Sequence, residues 1–197
     1  MPEPFHNSQS MKPGETPDRD ISPGRYVLKV VREVLETMIP AVVIALLINL
    51  LLAQATRVYG QSMEPNLHTD QRLVVEKISY NRWWPIRGPQ RGDVVVFRVN
   101  PHADLLIKRV IGLPGDRVEI RGGQVFINGE PLDEPYLTQP TYGDYGPVDV
   151  PPLHIFVLGD NRSFSNDSRS FGPLPLESVI GRAWFSYWPP GEWGLVR

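Results

Sequence analysis

Residues 105–116 read Leu-Leu-Ile-Lys-Arg-Val-Ile-Gly-Leu-Pro-Gly-Asp, and this stretch decides the fold class. Large apolar residues flank Lys108 and Arg109 on both sides, and the run stops at Gly112 and the Pro114-Gly115 pair. That pattern predicts a strand ended by a turn. Alternation along it sends Leu106, Lys108 and Val110 to one side, so the lysine sits among apolar neighbours. A lysine so placed either stretches its head to water or is buried and gives up its proton. The second outcome makes a base. At pH 8 a lysine of pKa ~10.4 is ~0.4% neutral, and burial that lowers the pKa to ~8.5 leaves roughly a quarter neutral.

Outward from this strand the chain keeps the same character. Residues 73–78, 93–99, 154–158 and 179–188 are rich in Val, Ile, Leu and aromatic residues and read as further strands. Residues 117–120 and 124–127 flank Gly122-Gly123, a hairpin signal. Residues 131–152 are proline-rich and read as loop. No strand–helix–strand alternation is visible. The expected fold is mainly β, an antiparallel sandwich or partly closed barrel, preceded by one N-terminal transmembrane helix.

That helix is read from residues 37–56, which carry no charge and are rich in Val, Ile, Leu and Ala. Twenty helical residues rise ~30 Å, enough for a hydrocarbon core. Arg25, Lys29 and Arg32 precede the run and share one helix face, which places the N-terminus in the cytoplasm and the rest of the chain outside. The expected organisation is a disordered cytoplasmic tail (1–24), a juxtamembrane and transmembrane helix (25–56) and an extracytoplasmic β-rich domain (57–197). The apolar run closes on Ala53-Gln54-Ala55, a pattern resembling a signal-peptide cleavage site.

Composition narrows the chemistry. The net charge of −2 gives no basic field for nucleic acid. There is no cysteine, and the histidines at 6, 68, 102 and 154 form no ligand pair, so neither a disulfide framework nor a dedicated zinc site is expected. His68 and His154 are the candidates for a Ser-His-Asp arrangement, but neither stands in a recognisable triad context.

Two further segments carry polar chemistry. Gly60-Gln61-Ser62-Met63-Glu64-Pro65 places a serine between a glycine that frees the backbone and a proline that fixes the exit. It is not a nucleophile elbow, because Glu64 stands where a second glycine belongs. Residues 159–169, Gly-Asp-Asn-Arg-Ser-Phe-Ser-Asn-Asp-Ser-Arg, pack polar side chains densely. Asp167 and Arg169 can pair there, and Ser165 can hydrogen-bond a neutral amine.

Together, in order, stand an apolar anchor, Ser-Met-x-Pro at 62–65, Gly-Asp-x-Val-Val-Phe at 92–97, the lysine strand at 108–116 and the polar segment at 159–169. This order resembles the bacterial type I signal peptidases, membrane-anchored serine proteases that remove signal peptides from exported proteins. The resemblance implies Ser62 as nucleophile, Lys108 as general base and Ser165 orienting the lysine amine. It implies Asp167 and Arg169 as structural supports, with Asp160 and Arg162 beside them. Gly60 and the Ser62 amide would form the oxyanion region, and Ile107 would line the substrate cleft. No metal or organic cofactor is implied. The partners would be preprotein signal peptides with small residues at −1 and −3, the lipid bilayer and the export machinery. Two positions depart from the common pattern: Asn66 replaces a threonine, and Gly60 stands where some members carry a serine. A second reading is a catalytically inactive, membrane-tethered β domain that binds signal peptides. A self-cleaving Ser-Lys repressor would need a helix-turn-helix in place of the apolar run.

Overall fold

The computed structural model describes residues 23–80, 87–100 and 102–196. The expected disordered tail therefore lies almost wholly outside the described residues. The chain divides into two compact units, Met1–Ile44 and Ala45–Arg197.

The first unit contains most of helix α1 (Pro23–Leu47). Proline at the first helical position suits a helix start, because its missing N–H has no partner to lose there. Arg32 and Glu36 pair one turn apart at 2.6 Å. A short π-helical turn, Ile48–Leu52, follows α1, and Ala53–Arg57 then forms strand β1. This corrects the sequence reading, which extended a helix to residue 56. No helix among the described residues is long and apolar enough to cross a membrane. The reason is local: Arg25, Lys29, Arg32, Glu33 and Glu36 occupy the first half of α1, and the end of the uncharged run is committed to a sheet.

The second unit is mainly β. Its remaining strands are β2 (Arg72–Glu76), β3 (Val94–Phe97), β4 (Leu106–Gly112), β5 (Arg117–Arg121), β6 (Gln124–Ile127), β7 (Glu130–Pro131), β8 (Tyr145–Asp149), β9 (His154–Leu158), β10 (Leu174–Pro175), β11 (Val179–Trp188) and β12 (Gly194–Leu195). The larger sheet runs β1-β2-β11-β3-β4-β9-β10, with β12 also on β11; the smaller runs β7-β6-β5-β8. Every pairing is antiparallel. The ends of the larger sheet, β1 and β10, do not pair with each other, so the sheet is open rather than a closed barrel.

Alternation explains the core. Val94 and Val96 of β3 join Val75 and Ile107 in one apolar group, while Val95 and Phe97 join Val110 and Val157 in another. The centre of the sheet is thus buried on both faces, which is why β3 and β4 read as continuous apolar runs. A third group, including Ile111, Val118, Ile120, Val125 and Phe156, joins the two sheets. The expected hairpin forms β5 and β6, with Gly122 and Gly123 at φ 54° and 85° in the two-residue turn. Residues 145–149, expected as loop, form β8 on the edge of the smaller sheet.

Candidate active site

Ser62 lies in a tight turn between β1 and β2. Val58 N–H donates to Gln71 O (2.8 Å) and Asp70 N–H to Val58 O (3.0 Å), closing the base of the turn. Gly60 has a φ of 79°, where side chains are disfavoured. Its carbonyl accepts from the Thr69 hydroxyl at 3.0 Å. Met63 and Leu67 anchor the turn by burying their side chains in the core. From the far side, Asn161 N–H donates to the Ser62 carbonyl at 3.0 Å.

Lys108 is 2% exposed. It lies just before the last β4–β9 pair, Arg109↔Leu158, where β9 gives way to Gly159. Its Nζ donates to Ser62 Oγ at 2.6 Å and to Ile107 O at 2.9 Å. Burial pushes the lysine down to about 8, and the nearby Asp167 and Asp160 carboxylates pull weakly the other way. Burial thus favours the neutral amine, and its neighbour is the Ser62 hydroxyl.

Asp167 is fully buried and accepts from Arg169 Nε and Nη2, both at 2.9 Å, and from Gly159 N–H at 3.1 Å. Burial alone would raise its pKa. The Arg169 guanidinium, the nearby Ser165 hydroxyl and the Gly159 amide outweigh that and hold it below the usual range. Asp167 also caps the short helix α2 (Ser168–Phe171). The Ser168 hydroxyl accepts from Val157 N–H at 3.0 Å, tying this segment back to β9.

Ser165 differs from its expected role. Its Oγ is buried and makes no hydrogen bond among the described residues, although it lies near enough to Asp167 to favour the carboxylate. The lysine amine is instead held by Ser62 Oγ and Ile107 O. Ile107 is 7% exposed and packs with Val58, Met63 and Leu67, so its carbonyl rather than its side chain touches the lysine.

Arg109 and Asn66 were not read as supports in the sequence, whereas Asp160 and Arg162 were. Arg109, next to Lys108, is equally buried; it donates to Asp160 from Nε (2.8 Å) and Nη2, and to Gly92 O (3.0 Å). Its guanidinium also lies over the Tyr136 ring, 4.1 Å from the centroid. Asn66 donates to both Asp160 (2.8 Å) and Tyr136 O (2.9 Å), so this departure from the family pattern has a structural use. Arg162 donates to Gly159 O at 3.1 Å and to Thr141 and Glu134. The adjacent basic pair at 108–109 and the acids at 160 and 167 were the available signal, since two buried cations require an answer. Among the described residues no group of His, Cys, Asp or Glu is placed to hold a metal ion.

A central β-sheet that buries a lysine against a turn serine is the arrangement of a hydrolytic enzyme. The family described as "Signal peptidase, peptidase S26" matches residues 31–188. A probable signal peptidase I-2 from Synechocystis is 43% identical over 82% of this chain and 75% of its own. Signal peptidase I of Leptolyngbya laminosa is 42% identical over 82% of each. A solved signal peptidase I from Enterococcus faecalis V583 aligns at 36% identity with 49% of this chain and 97% of its own, at a TM-score of 0.45. The chain belongs to the signal peptidase family, peptidase S26, and is a signal-peptide-removing protease.

Proposed function

We propose that the protein is a membrane-anchored serine endopeptidase that frees exported preproteins from their signal peptides, with Ser62 as nucleophile and Lys108 as general base. The observation that carries this is the 2.6 Å contact between Lys108 Nζ and Ser62 Oγ, made by a lysine whose burial favours the neutral amine. In acylation the neutral amine takes the Ser62 proton as Oγ attacks the scissile carbonyl carbon. The C–N bond then breaks, and the ammonium returns that proton to the leaving amine. In deacylation the amine takes a proton from water, the hydroxide attacks the ester, and Ser62 Oγ recovers the proton.

The Ser62 amide would face the developing oxyanion, with Gly60 giving the backbone its turn. Asp167 and Arg169 are read as supports for the lysine site, and Ser165 as a group that fills space beside Ser62. The apolar residues beside the nucleophile, Val58, Met63, Leu67 and Ile107, are nearly closed to solvent. Cleavage after small residues at −1 and −3 of a preprotein bound as an extended strand follows from the resemblance to the family.

Anchoring rests on the uncharged run at 37–56 and its basic flank. Residues 37–52 rise ~24 Å as helix, short of the ~30 Å hydrocarbon core. Trp184, Trp188 and Trp193 are exposed, and indole rings favour the membrane–water boundary. The catalytic unit would lie on the extracytoplasmic side, where preproteins emerge from the export machinery. A catalytically inactive signal-peptide binder gains nothing from a lysine buried against serine.

The test is cleavage of a preprotein by the full chain in detergent, with the new N-terminus sequenced. Wild type should cut after the small −1 residue; Ser62→Ala and Lys108→Ala should each fold and not cut. Cleavage by either variant at near wild-type rate would overturn the proposed chemistry.

A further inference from the structure

Ser62 has two unlike flanks. Towards the interior lie the buried side chains of Val58, Met63, Leu67 and Ile107. On the other flank lies a hollow of about 270 Å³, bordered by Glu64, Pro65, Gln139, Pro140, Asn161 and Phe164. We propose that this hollow receives the first residues of the mature protein, on the leaving side of the scissile bond, and that Glu64 and Phe164 set which residues are accepted there. The inference rests on Ser62 being the nucleophile.

Continuity with the nucleophile is direct. Glu64 and Pro65 belong to the Ser62 turn, and Asn161 donates its N–H to the Ser62 carbonyl. The acyl half and the leaving half of an extended substrate pass on opposite sides of the attacked carbon. On the proposed specificity the acyl half carries the small −1 and −3 side chains, so an open hollow beside the Ser62 turn suits the unrestricted residues of the leaving half. The volume lies below the ~300 Å³ of the smallest typical small-molecule sites. It suits one or two side chains instead.

The charges of the hollow are mostly spoken for. Asp160 is held by Arg109, and Arg162 by Glu134. Glu64 is the exception: it is half-buried, and among the described residues no cation pairs with it. A carboxylate in that position repels an acidic substrate residue and attracts a basic one. Phe164 is 74% exposed, on a turn closed by its N–H donating to Asn161 O at 3.1 Å. An uncovered ring at the rim is a platform for an apolar or aromatic side chain. Gln139 and Pro140 also border a second hollow of about 450 Å³ whose lining includes Asp133.

Peptides with alanine at −1 and −3, differing only at +1 or +2 (Ala, Phe, Lys or Asp), test this with the full chain in detergent. Wild type should prefer Lys over Asp in kcat/KM by roughly tenfold, and Phe over Ala by about threefold. Glu64→Gln should collapse the Lys/Asp ratio and spare the Phe/Ala ratio; Phe164→Ala should do the reverse, and Phe164→Leu should retain part of it. Binding of the same peptides to Ser62→Ala, followed by fluorescence anisotropy, reads the hollow without turnover. Affinities on Ser62→Ala that do not change across the series, or ratios identical in wild type and both variants, overturn the inference while the dyad stands. Selective binding with no cleavage by wild type would overturn the dyad and support the hollow.

Discussion

Gly159 stands directly against Ser165. A methyl group at Gly159 would overlap Ser165 Oγ and lie 2.5 Å from the Ser62 carbonyl oxygen. The hydroxyl can rotate away, but the carbonyl belongs to the nucleophile's own backbone and is held by Asn161. Gly159→Ala should therefore lower kcat/KM at least ~100-fold and destabilise by about 1–3 kcal/mol. Steady-state cleavage and guanidinium unfolding measure the two effects, and a fully active Gly159→Ala would show that Ser62 tolerates displacement.

With Lys108 as the proposed base, cleavage should follow the titration of its amine. Because burial brings it down to about 8, kcat/KM should rise nearly tenfold per unit below pH 8 and level off above it. Lys108→Arg should be inactive at every pH from 6 to 10, since guanidinium keeps its proton. A flat profile in wild type would remove the lysine as base. His68→Ala and His154→Ala should keep the same limb.

The same burial costs stability. An unfolded lysine titrates near 10.5 and this one, folded, near about 8, so between these values the unfolded chain holds more protons. Stability from this group therefore rises with pH from 8 to 10.5, and below pH 8 the whole penalty of roughly 3 kcal/mol applies. Lys108→Met should be more stable than wild type at pH 6 by part of that amount, less the lost hydrogen bonds, and the gap should close towards pH 10.5. Urea unfolding at pH 6, 8 and 10 reads it; a pH-independent gap would mean that the lysine keeps its solution pKa.

Arg109 and Asp160 form a buried pair that answers its own charge. Removing one partner leaves the other uncompensated, so Asp160→Ala should cost about 3–5 kcal/mol. The double variant Arg109→Met, Asp160→Ala should cost clearly less than the sum of the two single changes. Additive losses in a double-mutant cycle would mean that the pair is not coupled. Asn66→Ala removes one donor to Asp160 and should cost about 1 kcal/mol.

Local signals carried much of the fold. The lysine strand and the Gly122-Gly123 hairpin are written in consecutive residues, so alternation and turn chemistry suffice to read them. Residues 53–57 are different. Ala-Gln-Ala-Thr-Arg carries no helical or strand period, and what makes it β1 is pairing with residues 72–76, which no local pattern announces. Tyr-Gly-Pro-Val-Asp at 145–149 reads as loop because of its glycine and proline, yet β8 is an edge strand, where proline costs no ladder bond. In the site, Ser62 and Lys108 are legible as motifs. The Asn66–Asp160 contact is not, because it joins residues 94 positions apart. The expected hydrogen bond from Ser165 to the lysine was a matter of side-chain geometry, beyond what spacing can fix.

Lys108 and Arg109 are chemical neighbours with opposite fates on one strand: the first is buried without a counter-ion in hydrogen-bond contact, the second against a carboxylate. The register of β4 alone separates them. Val95 faces Lys108, Leu158 faces Arg109, and the ladder then slips at a bulge before Gly112. Gly112 has no room to spare there, as a Cβ would come within 2.7 Å of Val118. A one-residue slip of β4 one way would bring Arg109, a permanent cation, to the serine; a slip the other way would bring Ile107 there and Lys108 to Asp160. Strand alignment in this protein is thus a chemical variable: it selects which side chain the serine meets.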